Sequence, residues 1–277
     1  MLIISSISEL RTRLSGERAI AFVPTMGNLH EGHLALMRLA REHGDCVVAS
    51  IFVNPLQFGP NEDFDTYPRT FDADCAKLQG LADVLFAPSA GEMYPTAQIV
   101  FVEPPPIAEE LDGKSRPGHF RGMATVVLKL MNIVQPQVAV FGKKDYQQLH
   151  IIRQMVAQLN LPVKIIGGET IRAKDGLALS SRNQYLSLVE RGEAACLYQT
   201  LQDVGQAIIR GNMDFERLQR QAVETLAARR WVVDYVSVRD QSDLKQATVA
   251  QRVYAILAAA RLGNTRLIDN VEVHLDD

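Results

Sequence analysis

The chain has 277 residues, of which 47% are apolar and 22% charged, and its net charge is −3. That is enough apolar content for a globular core, and enough length for one large domain or two ordinary ones. The charge argues against a nucleic-acid binder held by bulk electrostatics, and no apolar run reaches the roughly 18 residues that a membrane span needs.

Residues 1–6 lack a charged leader and a long apolar stretch, so no secretion signal is expected. Cys46, Cys75 and Cys196 are far apart and contain no Cys-x-x-Cys, which fits reduced thiols and a cytoplasmic protein. Residues 5–16 predict a short helix. Ala19-Ile20-Ala21-Phe22-Val23 is short, apolar and partly β-branched, which predicts a buried strand. Residues 34–41 are strong helix formers. Between them lie Pro24, Thr25, Met26, Gly27, Asn28, Leu29, His30, Glu31, Gly32 and His33. This is a strand-to-helix turn with two histidines three residues apart, on one helical face.

A helix start carries unpaired N–H groups and partial positive charge, so the turn suits a phosphate. Gly27 is expected to take a positive φ and to let backbone approach a ligand. Gly32 is expected to leave a bare patch between the histidines for a ring or sugar. The two histidines also read as polar surface residues, or as half of a metal site that no nearby Cys or further His completes.

Cys46-Val47-Val48-Ala49-Ser50-Ile51-Phe52-Val53 predicts a strand covered on both faces. In the proline- and glycine-containing loop that follows, to Asn61, Asn54 and Gln57 read either as ordinary turn chemistry or as ligands for a small polar substrate. A helix carries Phe71, Cys75 and Leu78. Residues 83–88 predict a strand, and Ile99-Val100-Phe101-Val102-Glu103 another, ended by three prolines. The polar, glycine-rich residues 113–122 read either as a mobile loop over a site or as a plain surface loop. Residues 123–134 are helical, and Gln137-Val138-Ala139-Val140-Phe141 is a strand. It leads into Gly142, Lys143, Lys144 and Asp145, then a helix with Leu149, Ile152, Val156 and Leu159 at its spacing. Lysines at such a turn neutralise phosphates, and Asp145 caps the helix or binds a ribose. Pro162-Val163-Lys164-Ile165-Ile166 ends this half.

The alternation of strand and helix argues an α/β fold, a Rossmann-like doubly wound parallel sheet. Neither Gly-x-Gly-x-x-Gly nor a P-loop is present, which disfavours a dehydrogenase or P-loop kinase. Gly167-Gly168 marks a boundary, giving a nucleotide- and substrate-binding domain over residues 1–168 and a smaller α+β domain over residues 169–277 that covers the site. In the second domain Ser180, Ser181 and Arg182 set two hydroxyls beside a guanidinium, a trio suited to a triphosphate. Two amphipathic helices follow, one with Leu197, Leu201, Val204 and Ile208 and one with Phe215, Leu218, Ala222 and Leu226. Strand-like segments at residues 232–238, 254–260 and 266–273 close the chain.

Pro24-Thr25-Met26-Gly27-x-Leu29-His30-x-Gly32-His33, then Gly142-x-Lys144-Asp145-x-x-Gln148, then Leu179-Ser180-Ser181-Arg182-Asn183 resemble the pantothenate synthetase family. Residues 52–58 and 116–122 carry the likeness further, and it runs along the whole chain. More broadly the chain resembles nucleotidyl transferases and class I aminoacyl-tRNA synthetases. The resemblance implies ATP-dependent ligation of pantoate to β-alanine, giving pantothenate, AMP and pyrophosphate through a pantoyl adenylate. It implies ATP contacts at Pro24, Thr25, Met26, Gly27, His30, Gly32, His33, Gly142, Lys143, Lys144, Asp145, Ile171, Leu179, Ser180, Ser181 and Arg182. Pantoate and β-alanine would fall at Gln57 and Gln148, with Asn54 beside them. His33 matches the family's catalytic histidine, and His30, Lys144 and Arg182 join it on the phosphates.

Mg²⁺ is expected with ATP, its protein ligands unassigned, with Asp72 or Asp74 as candidates to hold one of its waters. No organic prosthetic group, nucleic acid or membrane is implied, and a homodimer is. The chain departs from the family at Lys143, where Glu is common; backbone contacts at that position would make the change tolerable. Two rivals share these features. One is an adenylyltransferase acting on a phosphate ester, which leaves Gln57 and Gln148 without a role. The other is a non-catalytic nucleotide sensor or RNA-binding relative.

Overall fold

The computed structural model describes residues 1–60 and 62–275. Asn61, at the end of the loop after the second predicted strand, lies outside the described residues. In chain order the elements are β1 (Leu2–Ile4), α1 (Ile7–Leu14), β2 (Ile20–Thr25), α2 (Glu31–Arg41), β3 (Cys46–Ile51), α3 (Phe71–Leu78), β4 (Val84–Phe86), α4 (Ala90–Met93), α5 (Asp112–Ser115), α6 (His119–Val134), β5 (Val138–Gly142), α7 (Tyr146–Gln158), β6 (Lys164–Gly168), α8 (Leu188–Glu193), α9 (Cys196–Ile209), α10 (Phe215–Ala228), β7 (Val232–Asp240), β8 (Val253–Leu262) and β9 (Thr265–His274). The chain divides into two compact units, one of Met1–Lys143 with Gln148–Glu169 and one of Lys144–Gln147 with the residues from Thr170 onward.

The first unit is a parallel sheet of six strands in the order β1-β4-β3-β2-β5-β6. Successive strand residues point to opposite faces, and here both faces are buried. Phe22, Val48 and Phe86 pack with Phe120, Met123 and Leu130 of α6. Their neighbours Val23, Val47, Ala49 and Leu85 pack with Met37 of α2 and Leu78 of α3. That is why β2, β3 and β4 read as nearly continuous apolar runs. Cys46 belongs to this core, and burial pushes its thiol up to about 11, so it is core filler and no nucleophile.

The winding reverses between β2 and β5, which are adjacent. The carboxyl ends of strands at such a switch point form the ligand crevice of open α/β sheets. The turn after Thr25 and the Gly142–Lys143 segment both start there.

Two expectations are corrected. Residues 99–103 form no strand. Ile99 and Val100 are exposed, the Val102 N–H donates to Thr125 Oγ1 at 3.0 Å, and the Arg121 guanidinium lies 3.9 Å over the Phe101 ring. Side chains of α6 hold the segment where a strand partner would. Residues 113–122 form no mobile loop: they supply most of α5 and open α6, with His119, Phe120 and Gly122 buried. A Cβ on Gly113 would stand 1.7 Å from the Ala108 carbonyl oxygen, and one on Gly122 would stand 1.9 Å from that of Leu56, so these glycines serve close packing. β1 is an additional strand: it is short, lies at the sheet edge, and exposes Leu2 and Ile3, so its residues carry little of a buried strand's signal.

The second unit is a three-stranded antiparallel sheet, β7-β8-β9. Leu197, Leu201, Val204 and Ile208 of α9 and Leu218, Ala222 and Leu226 of α10 pack with Tyr254, Ile256 and Ala258 of β8 in its core. Thus a parallel α/β sheet and a smaller α+β unit are both present.

Candidate active site

The turn from β2 to α2 is held by its own polar groups. The Thr25 hydroxyl donates to the Ser50 carbonyl at 2.7 Å and accepts from the Gly27 N–H at 3.2 Å. Gly27 has φ +84° and Asn28 φ +50°, which turns the chain sharply toward the helix. The Asp74 carboxylate, fully buried, accepts the Asn28 and Leu29 N–H groups at 2.8 Å each and the Thr70 hydroxyl at 3.1 Å. A carboxylate committed inward in this way braces the turn.

His30 is the N-cap of α2 in extended conformation, and His33 is the third residue of the helix. His30 Nδ1 accepts the Gly32 N–H and His33 Nδ1 accepts the His30 N–H, each at 3.2 Å. The ring centroids are 4.1 Å apart. An Nδ1 that accepts a backbone N–H puts the proton of the neutral ring on Nε2. Each neutral ring thus carries an Nε2–H at a helix start, chemistry that suits phosphate oxygens. The expected bare patch at Gly32 is corrected: a Cβ there would lie 2.9 Å from His30 Cε1 and Nδ1. The glycine makes room for the imidazole of its own cap.

Beyond β3, a 3₁₀ turn over Pro55–Gln57 carries the polar residues. Asn54 is nearly fully buried. Its Nδ2 donates to Gln57 Oε1 at 3.1 Å and the Gly122 carbonyl at 3.2 Å, while Oδ1 accepts the Tyr94 hydroxyl at 2.7 Å and the Leu56 N–H at 3.3 Å. Burial raises the Tyr94 phenol's pKa, which keeps it a donor. These four bonds use both donors and both acceptor sites of the amide. Through one of these bonds Asn54 also holds the Gln57 side chain. Gln57 is buried, and its Nε2 donates to Met26 Sδ at 3.1 Å. The position expected for the acid substrate thus meets the turn expected for the nucleotide.

At the end of β5, Gly142 pairs with Gly168, and the Lys143 N–H donates to the Gly168 carbonyl at 2.8 Å. The Lys143 N–H is thus a donor within the sheet. The Lys143 ammonium lies 2.6 Å from the Glu169 carboxylate. Asp145 directly precedes α7, and Gln148 is half-buried on the first turn of that helix.

In the second unit, the Leu179 N–H donates to the Ile171 carbonyl at 2.9 Å, and Arg172 bridges Ala178. This small hairpin brings Ile171 beside Leu179 and leads into a 3₁₀ turn over Ser181–Tyr185, capped by the Ser180 hydroxyl on the Arg182 N–H at 3.3 Å. Ser180 is thus a cap, while Ser181 and Arg182 are half-buried in the turn that it starts. The Arg172 guanidinium stacks 3.5 Å from the Tyr198 ring and bonds Asp269 through two nitrogens at 2.7 and 2.8 Å. Next to Asp269, Asn270 Nδ2 donates to the Lys144 carbonyl at 3.0 Å.

The family model for pantoate-beta-alanine ligase matches residues 2–272. The chain belongs to the pantoate–β-alanine ligase family. A pantothenate synthetase of Nitrosospira multiformis is 59% identical over 273 residues, covering 98% of both chains. One of Chromobacterium violaceum is 57% identical over 275 residues, covering 99% of both. The crystal structure of pantothenate synthetase from Thermus thermophilus superposes with a TM-score of 0.94 at 44% identity, covering 99% of this chain and 100% of that one. A pantoate-beta-alanine ligase from Francisella tularensis, complexed with beta-gamma ATP and β-alanine, has a TM-score of 0.80 at 37% identity, covering 98% and 97%.

Several residues that organise the site of this pantoate–β-alanine ligase family member gave little signal in the sequence. Asp74 lies in a helix that reads as an ordinary amphipathic one. Arg172 is nearly a hundred positions from Asp269 and Asn270. Nothing but folding brings them together.

Proposed function

We propose that the enzyme joins pantoate to β-alanine at the expense of ATP, releasing pantothenate, AMP and pyrophosphate. A carboxylate is a poor target for an amine, because oxide would have to leave. In the first step a pantoate carboxylate oxygen attacks the α-phosphorus, and the bond from that phosphorus to pyrophosphate breaks. In the second, the β-alanine amine attacks the acyl carbon, the C–O bond to AMP breaks, and the amine loses a proton. The first step asks chiefly for in-line placement and for charge neutralisation. The Nε2–H groups of His30 and His33 are assigned to the α-phosphate, and Lys144, Ser181 and Arg182 to the phosphates that leave. Gln57 and Gln148 bind pantoate as neutral amides, with Gln57 also near β-alanine. Pro24, Thr25, Met26, Gly27, Gly142, Lys143, Asp145, Ile171 and Leu179 line the nucleotide.

The observation that carries this reading is the contact of Gln57 Nε2 with Met26 Sδ at 3.1 Å, since an acid can be adenylated only beside the nucleotide. Mg²⁺ is proposed to travel with ATP. Among the described residues no group of three His, Cys, Asp or Glu side chains converges to hold a metal. The donor set therefore fits an ion held mainly by phosphate oxygens and water, the usual habit of Mg²⁺, and its chemistry is charge neutralisation. We further propose a cytoplasmic homodimer, with residues 1–168 and 169–277 as its two domains. Among the described residues no helix is long and apolar enough to cross a membrane.

Mass spectrometry after mixing enzyme, ATP and pantoate without β-alanine tests the intermediate: pantoyl adenylate is expected. A diphosphate-linked product formed from a phosphate ester, with no free AMP on adding β-alanine, would favour an adenylyltransferase instead.

A further inference from the structure

The opening of α6 carries a buried histidine to which the ligation chemistry assigns no task. His119 Nδ1 lies 2.8 Å from the Gln57 carbonyl oxygen, and its Nε2 lies 3.0 Å from Arg116 Nη1. Arg116 in turn bonds both oxygens of Glu62, at 2.8 and 2.5 Å. Both partners of the ring are chemically one-sided. A carbonyl only accepts, so Nδ1 must carry a proton. A guanidinium only donates, so Nε2 must be bare. The imidazole is therefore neutral and held in one tautomer, the opposite of that at His30 and His33. Two other contacts fix the same helix start to the same turn: Asn54 Nδ2 donates to the Gly122 carbonyl at 3.2 Å, and Gly122 has no Cβ to strike Leu56.

We propose that His119 is a positioning residue for the acid and amine substrates, holding the Gln57 backbone through its Nδ1–H while Arg116 and Glu62 fix its tautomer. The proposal rests on the assignment of Gln57 to substrate binding given above. Asn54 orients the Gln57 amide, and His119 anchors the backbone from which that amide projects.

Three variants of the full chain separate this proposal from the assignment beneath it. Asparagine at 119 can place an amide N–H where Nδ1 stands, whereas glutamine reaches the position of Nε2. His119→Asn is expected to keep the pantoate KM within about twofold of wild type, and His119→Gln to raise it about tenfold, with the ATP KM within about twofold in both. Gln57→Ala is expected to raise the pantoate KM at least as much as His119→Gln. If Gln57→Ala alone raises it, the relay through His119 is wrong and the assignment of Gln57 stands. If Gln57→Ala has no effect, both fall. Equal damage in the two His119 variants, or a parallel rise in the ATP KM, overturns the positioning role. ¹⁵N NMR of histidine-labelled wild-type enzyme needs no variant: a neutral Nδ1–H resonance is expected for His119, and an Nε2–H tautomer would overturn the proposal.

Discussion

His33 shows how far one side chain's role follows from its surroundings. With Nδ1 accepting the His30 N–H, the proton of the neutral His33 ring sits on Nε2, the nitrogen assigned to the α-phosphate. If that donor strengthens as charge builds on the α-phosphate, His33→Ala lowers turnover on the order of 100-fold or more. An undiminished steady-state rate would remove His33 from the chemistry. Gly32→Ala is a quieter test, since its Cβ would press on the His30 ring at 2.9 Å. It should raise the ATP KM and leave the pantoate KM close to wild type, as initial rates at varied ATP would show. His119 gives a pH prediction. Burial, then the neighbouring Arg116 charge, lowers its pKa from 6.5 to about 4, opposed by the Gln57 carbonyl and the charges of Glu62 and Asp112. In the unfolded chain it takes up a proton near pH 6.5, which the folded protein refuses until about pH 4. Its share of stability is therefore whole above about pH 6.5 and is lost as pH falls toward 4. Urea unfolding across that range should show a steeper decline for wild type than for His119→Asn; parallel curves would contradict the buried neutral state.

At the scale of elements, the strands with both faces covered were legible, because an unbroken apolar run has few other uses. The β2–α2 turn was legible too, since Pro24, Gly27, Gly32 and the two histidines combine a turn with a helix start. Two segments misled for opposite reasons. Ile99-Val100-Phe101-Val102 has the composition of a strand, yet composition does not supply a neighbouring strand, and Thr125 and Arg121 took that place. Residues 113–122 have the glycines of a flexible loop, but glycine also permits close approach, and packing decided between the two. Gly122→Ala measures that packing. A Cβ 1.9 Å from the Leu56 carbonyl must displace the turn that carries Gln57. A loss of about 1–3 kcal/mol or more in urea denaturation is expected, with a raised pantoate KM. Wild-type stability would mean that the helix start is not locked to the turn.

At the scale of the whole molecule, residues far apart in sequence decide how the site is built, and these the sequence conceals. Asp74 braces a turn more than forty positions earlier, and Asn270 reaches the Lys144 carbonyl from the last strand. The sequence offers candidate groups for a single chemistry: two imidazoles, a lysine, an arginine and two neutral amides, spread over both units. The adenylate is the claim that makes one mechanism of them, and exchange of labelled pyrophosphate into ATP tests it most directly. With ATP, Mg²⁺ and no β-alanine, label should enter ATP only when pantoate is present. Exchange that proceeds without pantoate, or no exchange by a folded enzyme that makes pantothenate when β-alanine is added, would contradict it.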